Sequence, residues 1–496
     1  MAGLSEVSRG HSTIKWEGPN NRRFSKSLKD TKKYNESRQL PKGGYLHKDR
    51  VEPESSAGAP SISFMSENKE NNVNEYNGGL LEKILEPANL NLAYKKVKAN
   101  RGSSGVDGMT VDDLLEFLKQ NGQMIRQQVL QGTYKPKPVK GVEIPKPDGG
   151  SRMLGIPTVL DRTIQQAIAQ ILTPLFESKF SKHSYGFRPG RSAKQAVEKC
   201  REYIQAGHTW TVDIDLANYF DTVNHDRLIR RLSQTVKDSR VISLVRKYLV
   251  SGVMIGGVIT ETQKGTPQGG NLSPLLANIV LDELDTELEK RGLCFVRYAD
   301  DCNIYTRSRK AADRVMASTV RFIENKLRLK VNRQKSTVDR PWKLKFLGFS
   351  FYHKNQKIRI RVHPESVRRF KQRLKWITAR SNAKSMTYRM LKLKQLITGW
   401  VNYYGIADMK TLAQSLDEWL RRRIRMCYWK QWKKVRTRHK NLVKRGIDKS
   451  KALEFANTRK GYWRIAVSPI LTRAFTNEDL RKLGFQSIMM RYSLVH

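Results

Sequence analysis

Apolar residues acquire a regular spacing only from about Leu80 onward. After a break at Pro157, Ile164, Ile168, Ile171 and Leu175 recur at helical intervals and predict an amphipathic helix. A second helix is expected to gather Ala193, Ala196, Val197, Cys200 and Ile204 on one face. Strand signals follow at residues 209–216, at 254–260 folded about Gly256-Gly257 as a hairpin, and at 294–305. Helices and strands alternate irregularly over residues 80–350, which indicates an α+β fold rather than a repeating βαβ unit. Beyond about His363 the strand signal fades. Basic stretches with Leu, Ile and Trp at helical spacing then predict a mostly α-helical C-terminal region. Residues 1–76 show no apolar periodicity and are rich in Asn, Ser, Gly, Lys and Glu, the composition of a flexible basic tail. No internal repeat is found.

Composition narrows the class of partner. The 496 residues include 93 Lys and Arg against 46 Asp and Glu, a formal charge of +47. A globular protein so charged repels itself unless a polyanion neutralises it, which argues against a small-metabolite enzyme with an ordinary surface. The surplus is uneven: residues 351–496 hold 36 Lys and Arg but only 8 Asp and Glu, more than half of the excess. No apolar run long enough for a transmembrane helix, about 18 residues, is present. The first residues lack the apolar stretch of a secretory signal. Cys200, Cys294, Cys302 and Cys427 are scattered without a Cys-x-x-Cys pair, so neither a disulfide frame nor a zinc knuckle is expected. An intracellular, cytoplasmic chain facing nucleic acid, with no membrane partner, fits these features.

Acids that cluster within apolar strands of so basic a chain require a reason. Asp300 and Asp301 lie between the apolar runs of residues 294–305, at the expected tip of a tight hairpin. Upstream, a strand period of two sets Asp213 and Asp215 on one face and Val212 and Ile214 on the other. Burying two acids on one face is costly unless a cation compensates them. Oxygen donors without Cys or His nearby favour a hard cation, Mg²⁺. Three carboxylates from two strands can hold a pair of Mg²⁺ ions ~3.5–4 Å apart, suited to in-line nucleotidyl displacement. The alternative is that these acids pair with a neighbouring arginine such as Arg297.

Tyr298-Ala-Asp-Asp301 resembles the active-site box of reverse transcriptases, and Asp215-Leu-Ala-Asn-Tyr-Phe-Asp221 resembles their upstream metal-binding box. In that family the metal-binding Asp precedes a bulky aromatic by five residues, a spacing that Asp215 and Phe220 meet and Asp213 does not. The resemblance therefore implies Asp215, Asp300 and Asp301 as catalytic metal ligands for two Mg²⁺ ions, with Asp213 structural or supporting. Phe220 is implied as a steric gate against the ribose 2′-OH. Lys146 and Arg152, in a segment similar to the fingers box, would meet the dNTP triphosphate. Gln268, in Gly265-Thr-Pro-Gln-Gly-Gly270, would contact the nascent pair. Arg188 and Arg191, in Tyr185-Gly-Phe-Arg-Pro-Gly-Arg191, would meet template backbone. Lys335-Ser336 and Phe346-Leu-Gly-Phe349 fit the last two palm boxes.

Beyond the palm, Gly399-Trp-Val-Asn-Tyr-Tyr-Gly405 resembles the maturase-specific domain of group II intron proteins. Arg421, Arg422, Arg423, Arg425, Lys433 and Lys434 follow, interleaved with aromatics, and are expected to face RNA. Trp376, Trp400, Trp419 and Trp429 are expected to serve the core of a helical thumb. The resemblance covers about residues 80–495 and is strongest to the compact group IIC type, which lacks an HNH endonuclease. It implies a right-hand polymerase fold of fingers and palm with an antiparallel sheet, followed by an α-helical thumb and maturase domain. The expected division is a tail over 1–76, fingers and palm over 77–350, thumb and maturase helices over 351–440, and a basic RNA/DNA-binding extension over 441–496. The implied partners are group II intron RNA, an RNA template, a DNA primer or target, and dNTPs. A retron or diversity-generating reverse transcriptase, or a splicing factor that no longer polymerises, are the alternatives.

Overall fold

Pro157 and Thr158 start the helix Val159–Glu177, because the Thr158 hydroxyl accepts the Asp161 amide and so caps an otherwise unsatisfied first turn. The computed structural model describes residues 79–145, 150–262 and 264–496. The expected basic tail and Lys146 lie outside the described residues. Along the helix, Ile164, Ile168 and Leu172 are buried, while Ile171 and Leu175 pack at the margin of the same core. The helix Ala193–Gln205 opens on a reciprocal capping box between Ser192 and Gln195. Its predicted apolar face is the buried one.

Ten strands occur among the described residues: β1 (Val139–Pro145), β2 (Ser151–Ile156), β3 (Trp210–Ile214), β4 (Val253–Ile255), β5 (Val258–Thr260), β6 (Cys294–Tyr298), β7 (Asp301–Thr306), β8 (Thr337–Asp339), β9 (Phe349–Lys354) and β10 (Lys357–Val362). They form three sheets. The first runs β2-β1-β4-β5, with β1 parallel to β4 and the other pairs antiparallel. Its β4–β5 hairpin turns through Gly256 (φ 58°) and Gly257 (φ 89°), positions where a side chain would be strained. The second sheet, β6-β7-β3-β8, is antiparallel throughout. Val212 and Ile214 point from β3 into a core shared with Phe295, Cys302 and Ile304. The helix Arg309–Asn325 packs on β3, β7 and β8, and the helix Ser273–Lys290 packs on β6. The third sheet is the pair β9–β10.

From Pro364 onward the described chain is helical. The long helices Pro364–Ile377, Met386–Tyr404 and Lys410–Gln431 are followed by shorter ones, ending in Ile488–Ser493. One cluster of buried side chains runs from Val296 and Tyr305 in the second sheet through Phe370, Ile397 and Leu420 to Ile488 and Tyr492. It crosses residue 440, where the C-terminal extension was expected to begin, without a break. Trp429 is fully buried in this core, and Trp400 stacks on Phe370 at 4.1 Å between centroids. Trp376 departs from the expectation and is 62% exposed. None of the described helices is long and apolar enough to cross a membrane.

The C-terminal helix returns to the long helix through one buried acid. Asp417 accepts the Ser487 hydroxyl at 2.6 Å and the amides of Ile488 and Met489 at 2.8 and 3.0 Å. Replacing it leaves those amides without a partner at the start of a short helix. Asp417→Ala should therefore lower unfolding stability by ~3 kcal/mol in urea titrations and raise amide exchange across residues 488–493.

Candidate active site

The acids converge because of one strand pairing. β3 lies antiparallel to β7 with Asp213 opposite Asn303 and Ile214 opposite Cys302. Continuing that register by one residue sets Asp215 against Asp301. Strand alternation then gives Thr211, Asp213, Asp215, Asp301, Asn303 and Tyr305 a common face, opposite the one that carries Val212, Ile214, Cys302 and Ile304. β6 and β7 join through a two-residue turn, since Tyr298 pairs with Asp301. Ala299 and Asp300 form the turn, and Asp301 begins β7, so the two acids do not share the tip as expected. Ala299 is held at φ 56°, a left-handed conformation that costs a non-glycine residue about 1 kcal/mol.

The backbone of Asp215 is clasped from the far side of the sheet. Its amide donates to the Ser336 hydroxyl at 3.1 Å, and its carbonyl accepts the Asn332 amide at 2.8 Å. The Lys335-Ser336 motif thus acts here through Ser336. Asn332 carries no motif signal, and only the fold brings it to the site.

Burial, together with the charges of Asp301 and Asp215, pushes the Asp213 carboxyl up to about 7. On the same face the Asn303 Oδ1 and Thr211 Oγ1 atoms are buried without a hydrogen-bond partner among the described residues. An all-oxygen set of mutually repelling acids beside unsatisfied polar atoms fits a hard divalent cation. Among the described residues the side chains do not close into a cluster of three or more metal-ligating groups. Arg297 is not the partner of these acids: it pairs with Asp285.

Other expected residues are linked to one another through backbone contacts. Phe220 is buried in the short helix Tyr219–Thr222. Its carbonyl accepts the Thr266 amide at 2.6 Å, and Gly265 (φ 95°) lies so close that a Cβ would meet the Phe220 carbonyl oxygen at 3.0 Å. The half-buried Gln268 accepts the Gly155 amide of β2 on its carbonyl at 2.9 Å. Three residues earlier on the same strand, Arg152 is exposed. The Phe220 turn, the Gln268 loop and the strand carrying Arg152 are therefore consecutive neighbours.

Two expected RNA contacts are corrected by their surroundings. Arg188 is buried, ion-paired with Glu177 at 2.7 Å and bonded to the Ser184 carbonyl at 2.9 Å, so its guanidinium braces its own loop. Arg425 is also buried and donates to the Phe475 carbonyl at 3.0 Å. A helix turns once every 3.6 residues, so a run from 421 to 425 cannot present every member to solvent. Arg423 is half-buried and bonded to the Thr378 hydroxyl, and Arg422 stacks on Trp463 with its charge 4.0 Å from the ring centroid. Arg191 and Arg421 are half-buried, while Lys433 and Lys434 are exposed.

The maturase-like motif serves the palm directly. Phe346 and Phe349 bridge across a turn of Leu347 (φ 51°) and Gly348 (φ 82°). The Tyr403 hydroxyl donates to the Leu347 carbonyl at 3.0 Å, and a Cβ on Gly348 would collide with the Tyr404 hydroxyl.

Sequence comparisons agree with this geometry. Residues 144–351 match the family described as reverse transcriptase (RNA-dependent DNA polymerase), and residues 367–446 match the group II intron maturase-specific domain. Protein YkfC of Escherichia coli K12 is 32% identical over 299 residues, covering 52% of this chain and 78% of that protein. Group II intron-encoded protein LtrA of Lactococcus lactis subsp. cremoris is 36% identical over 225 residues, 45% of this chain and 37% of LtrA. A chain of a partial Cas6-RT-Cas1–Cas2 complex aligns at 28% identity with a TM-score of 0.33, covering 50% of this chain and 43% of that one. An antiparallel palm bearing paired acids, followed by a maturase-type helical region, defines a polymerase class. The chain belongs to the group II intron-encoded reverse transcriptase and maturase family. RNA-directed DNA polymerisation is the activity of that family's polymerase domain, which generally uses a divalent metal, and its partners are nucleic acids.

The raised Asp213 carboxyl has a measurable consequence. Its folded value of about 7 lies above the ordinary value near 3.9, so folding favours the protonated acid. The associated stability is complete below about pH 4 and is lost as pH rises toward 7. In EDTA, parent protein should lose stability relative to Asp213→Asn across that interval. Urea unfolding at stepped pH reads the difference, and a pH-independent difference would remove the assignment.

Proposed function

We propose that the chain copies RNA into DNA from a primer 3′-OH and grips the RNA of its own group II intron through the C-terminal helices. The observation that supports the first part most strongly is the β3–β7 register, which brings acids from two strands to one polar face. In this reading Asp215, Asp300 and Asp301 hold two Mg²⁺ ions. When bound, such a pair activates the attacking hydroxyl and stabilises the leaving pyrophosphate.

The chain's own residues do the positioning. Phe220, fixed by the Thr266 and Gly265 backbone, fills the space that a ribose 2′-OH would need, so deoxynucleotides are preferred. Gln268, anchored to β2, meets the nascent base pair, and Arg152 offers a cation to the triphosphate. Lys146 shares that role in this reading. Arg191 meets the template, whereas Arg188 supports the loop. For the intron RNA, Lys433, Lys434, Arg421 and Arg422 supply the basic face, with Arg423 and Arg425 holding the helix to its neighbours. DNA target contact is assigned to the same C-terminal region, and the reaction is placed in the cytoplasm.

Asp300→Ala combined with Asp301→Ala should abolish primer extension, by at least a factor of ~10³, and leave RNA affinity nearly unchanged. Persistent DNA synthesis would sink the triad. Replacing Lys433, Lys434 and Arg421 by Gln should weaken intron RNA binding and flatten its salt dependence by ~0.7–0.9 in slope per lost phosphate contact. Arg425→Gln should instead show up in unfolding stability. An unchanged salt slope in the triple variant would make that surface a solvated face.

A further inference from the structure

Behind the Ala299–Asp300 turn sits a guanidinium that no solvent reaches. Arg297 is 0% exposed, and its Nε and Nη2 donate to the Asp285 carboxylate at 2.7 and 2.5 Å. Its remaining nitrogen, Nη1, donates to the Asn278 Oδ1 at 3.0 Å and to the Ala299 carbonyl at 2.9 Å. Asn278, itself 1% exposed, donates its amide to the Gly186 carbonyl at 2.9 Å. The Arg297 backbone pairs in turn with the template-side loop, donating to the His183 carbonyl and accepting the Tyr185 amide, both at 2.9 Å. Gly186 completes the contact, because a Cβ there would collide with the Ala299 amide nitrogen.

A fully buried ion pair is a poor source of stability, since desolvation offsets most of the Coulombic gain and a well-packed apolar pair would serve as well. What this one supplies is direction. The charged hydrogen bond to the Ala299 carbonyl holds this residue in its left-handed conformation, with Asp300 in the turn and Asp301 at the head of β7. An alanine has no intrinsic preference for φ 56°, so the turn depends on an external tether.

We propose that Asp285, Asn278 and Arg297 form a positioning relay that holds the Ala299–Asp301 turn in the arrangement that binds divalent cation, and that ties this turn to the 183–186 loop. The proposal rests on the reading of Asp215, Asp300 and Asp301 as metal ligands. Asp285, Asn278 and Arg297 act through the turn and touch no reacting atom. Supporting residues of this kind typically change metal affinity by ~10–100-fold when altered.

The test uses the full chain and Mn²⁺ as a spectroscopic probe. Asn278→Ala removes two tethers and leaves no buried charge unpaired. Arg297→Lys keeps a cation beside Asp285 but loses the fork that reaches the carbonyl. Mn²⁺ affinity by electron paramagnetic resonance should fall at least ~10-fold in both variants. The Mg²⁺ concentration for half-maximal primer extension should rise in parallel, with template affinity within about twofold of the parent. A folded variant, by urea unfolding, with unchanged Mn²⁺ affinity overturns the proposal. Failure of both variants to fold also overturns it, since the residues would then serve stability alone. Asp301→Ala separates the two levels: if it retains parental Mn²⁺ binding, the metal-ligand reading itself fails.

Discussion

The register of β3 against β7 is the constraint on which the rest of the site depends. Side chains alternate across a strand, so a slip of one residue would carry Val212 and Ile214 to the polar face and drive Asp213 and Asp215 into the core. The apolar contacts of Val212, Ile214, Cys302 and Ile304 therefore do more than stabilise a sheet. They determine which face receives the acids. The clasp of Ser336 and Asn332 on the Asp215 backbone and the left-handed Ala299 complete the arrangement from opposite sides. Burial of the acids and their mutual repulsion, both of which raise the Asp213 carboxyl, are the cost of this convergence. A bound cation would relieve it.

The second organising feature is the union of palm and C-terminal helices. One hydrophobic cluster extends from β6 and β7 to the last helix, so the maturase-type region is packed onto the polymerase rather than hung from it. Tyr403 and Tyr404 press on the Leu347-Gly348 turn, giving a motif associated with RNA binding a mechanical duty in the palm. A disturbance of the C-terminal helices thus has a packed route toward the sheet that carries the acids.

Much of this was legible residue by residue. The helical face of Ala193 through Ile204, the hairpin at Gly256-Gly257 and the change to helix after His363 all follow from local period and turn chemistry, which neighbours in sequence decide. Asp213, Asp215, Asp300 and Asp301 stood out because carboxylates are costly inside apolar strands, and the resemblance, through the spacing of Asp215 to Phe220, singled out three of the four. Arg188 and Arg425 misled for the converse reason. A guanidinium in a basic segment reads as surface, yet its five donors can satisfy carbonyls in the interior as well as phosphates outside. Trp376 misled in the opposite sense, an aromatic at helical spacing that the neighbouring helices leave uncovered.

The sequence by itself determined the fold class, the family and the sign of the partner's charge, and it drew attention to the acids, because periodicity, spacing and net charge are properties of the chain alone. Tertiary structure decided the rest: that Asn332 and Ser336 hold Asp215, that Arg297 turns to Asp285 rather than to the acids of β3 and β7, and which basic residues remain outside. Those outcomes depend on groups from 12 to more than 100 residues apart meeting at hydrogen-bond distance. Directional bonds of that kind form only once packing has chosen the neighbours, and no local pattern of residue types encodes them.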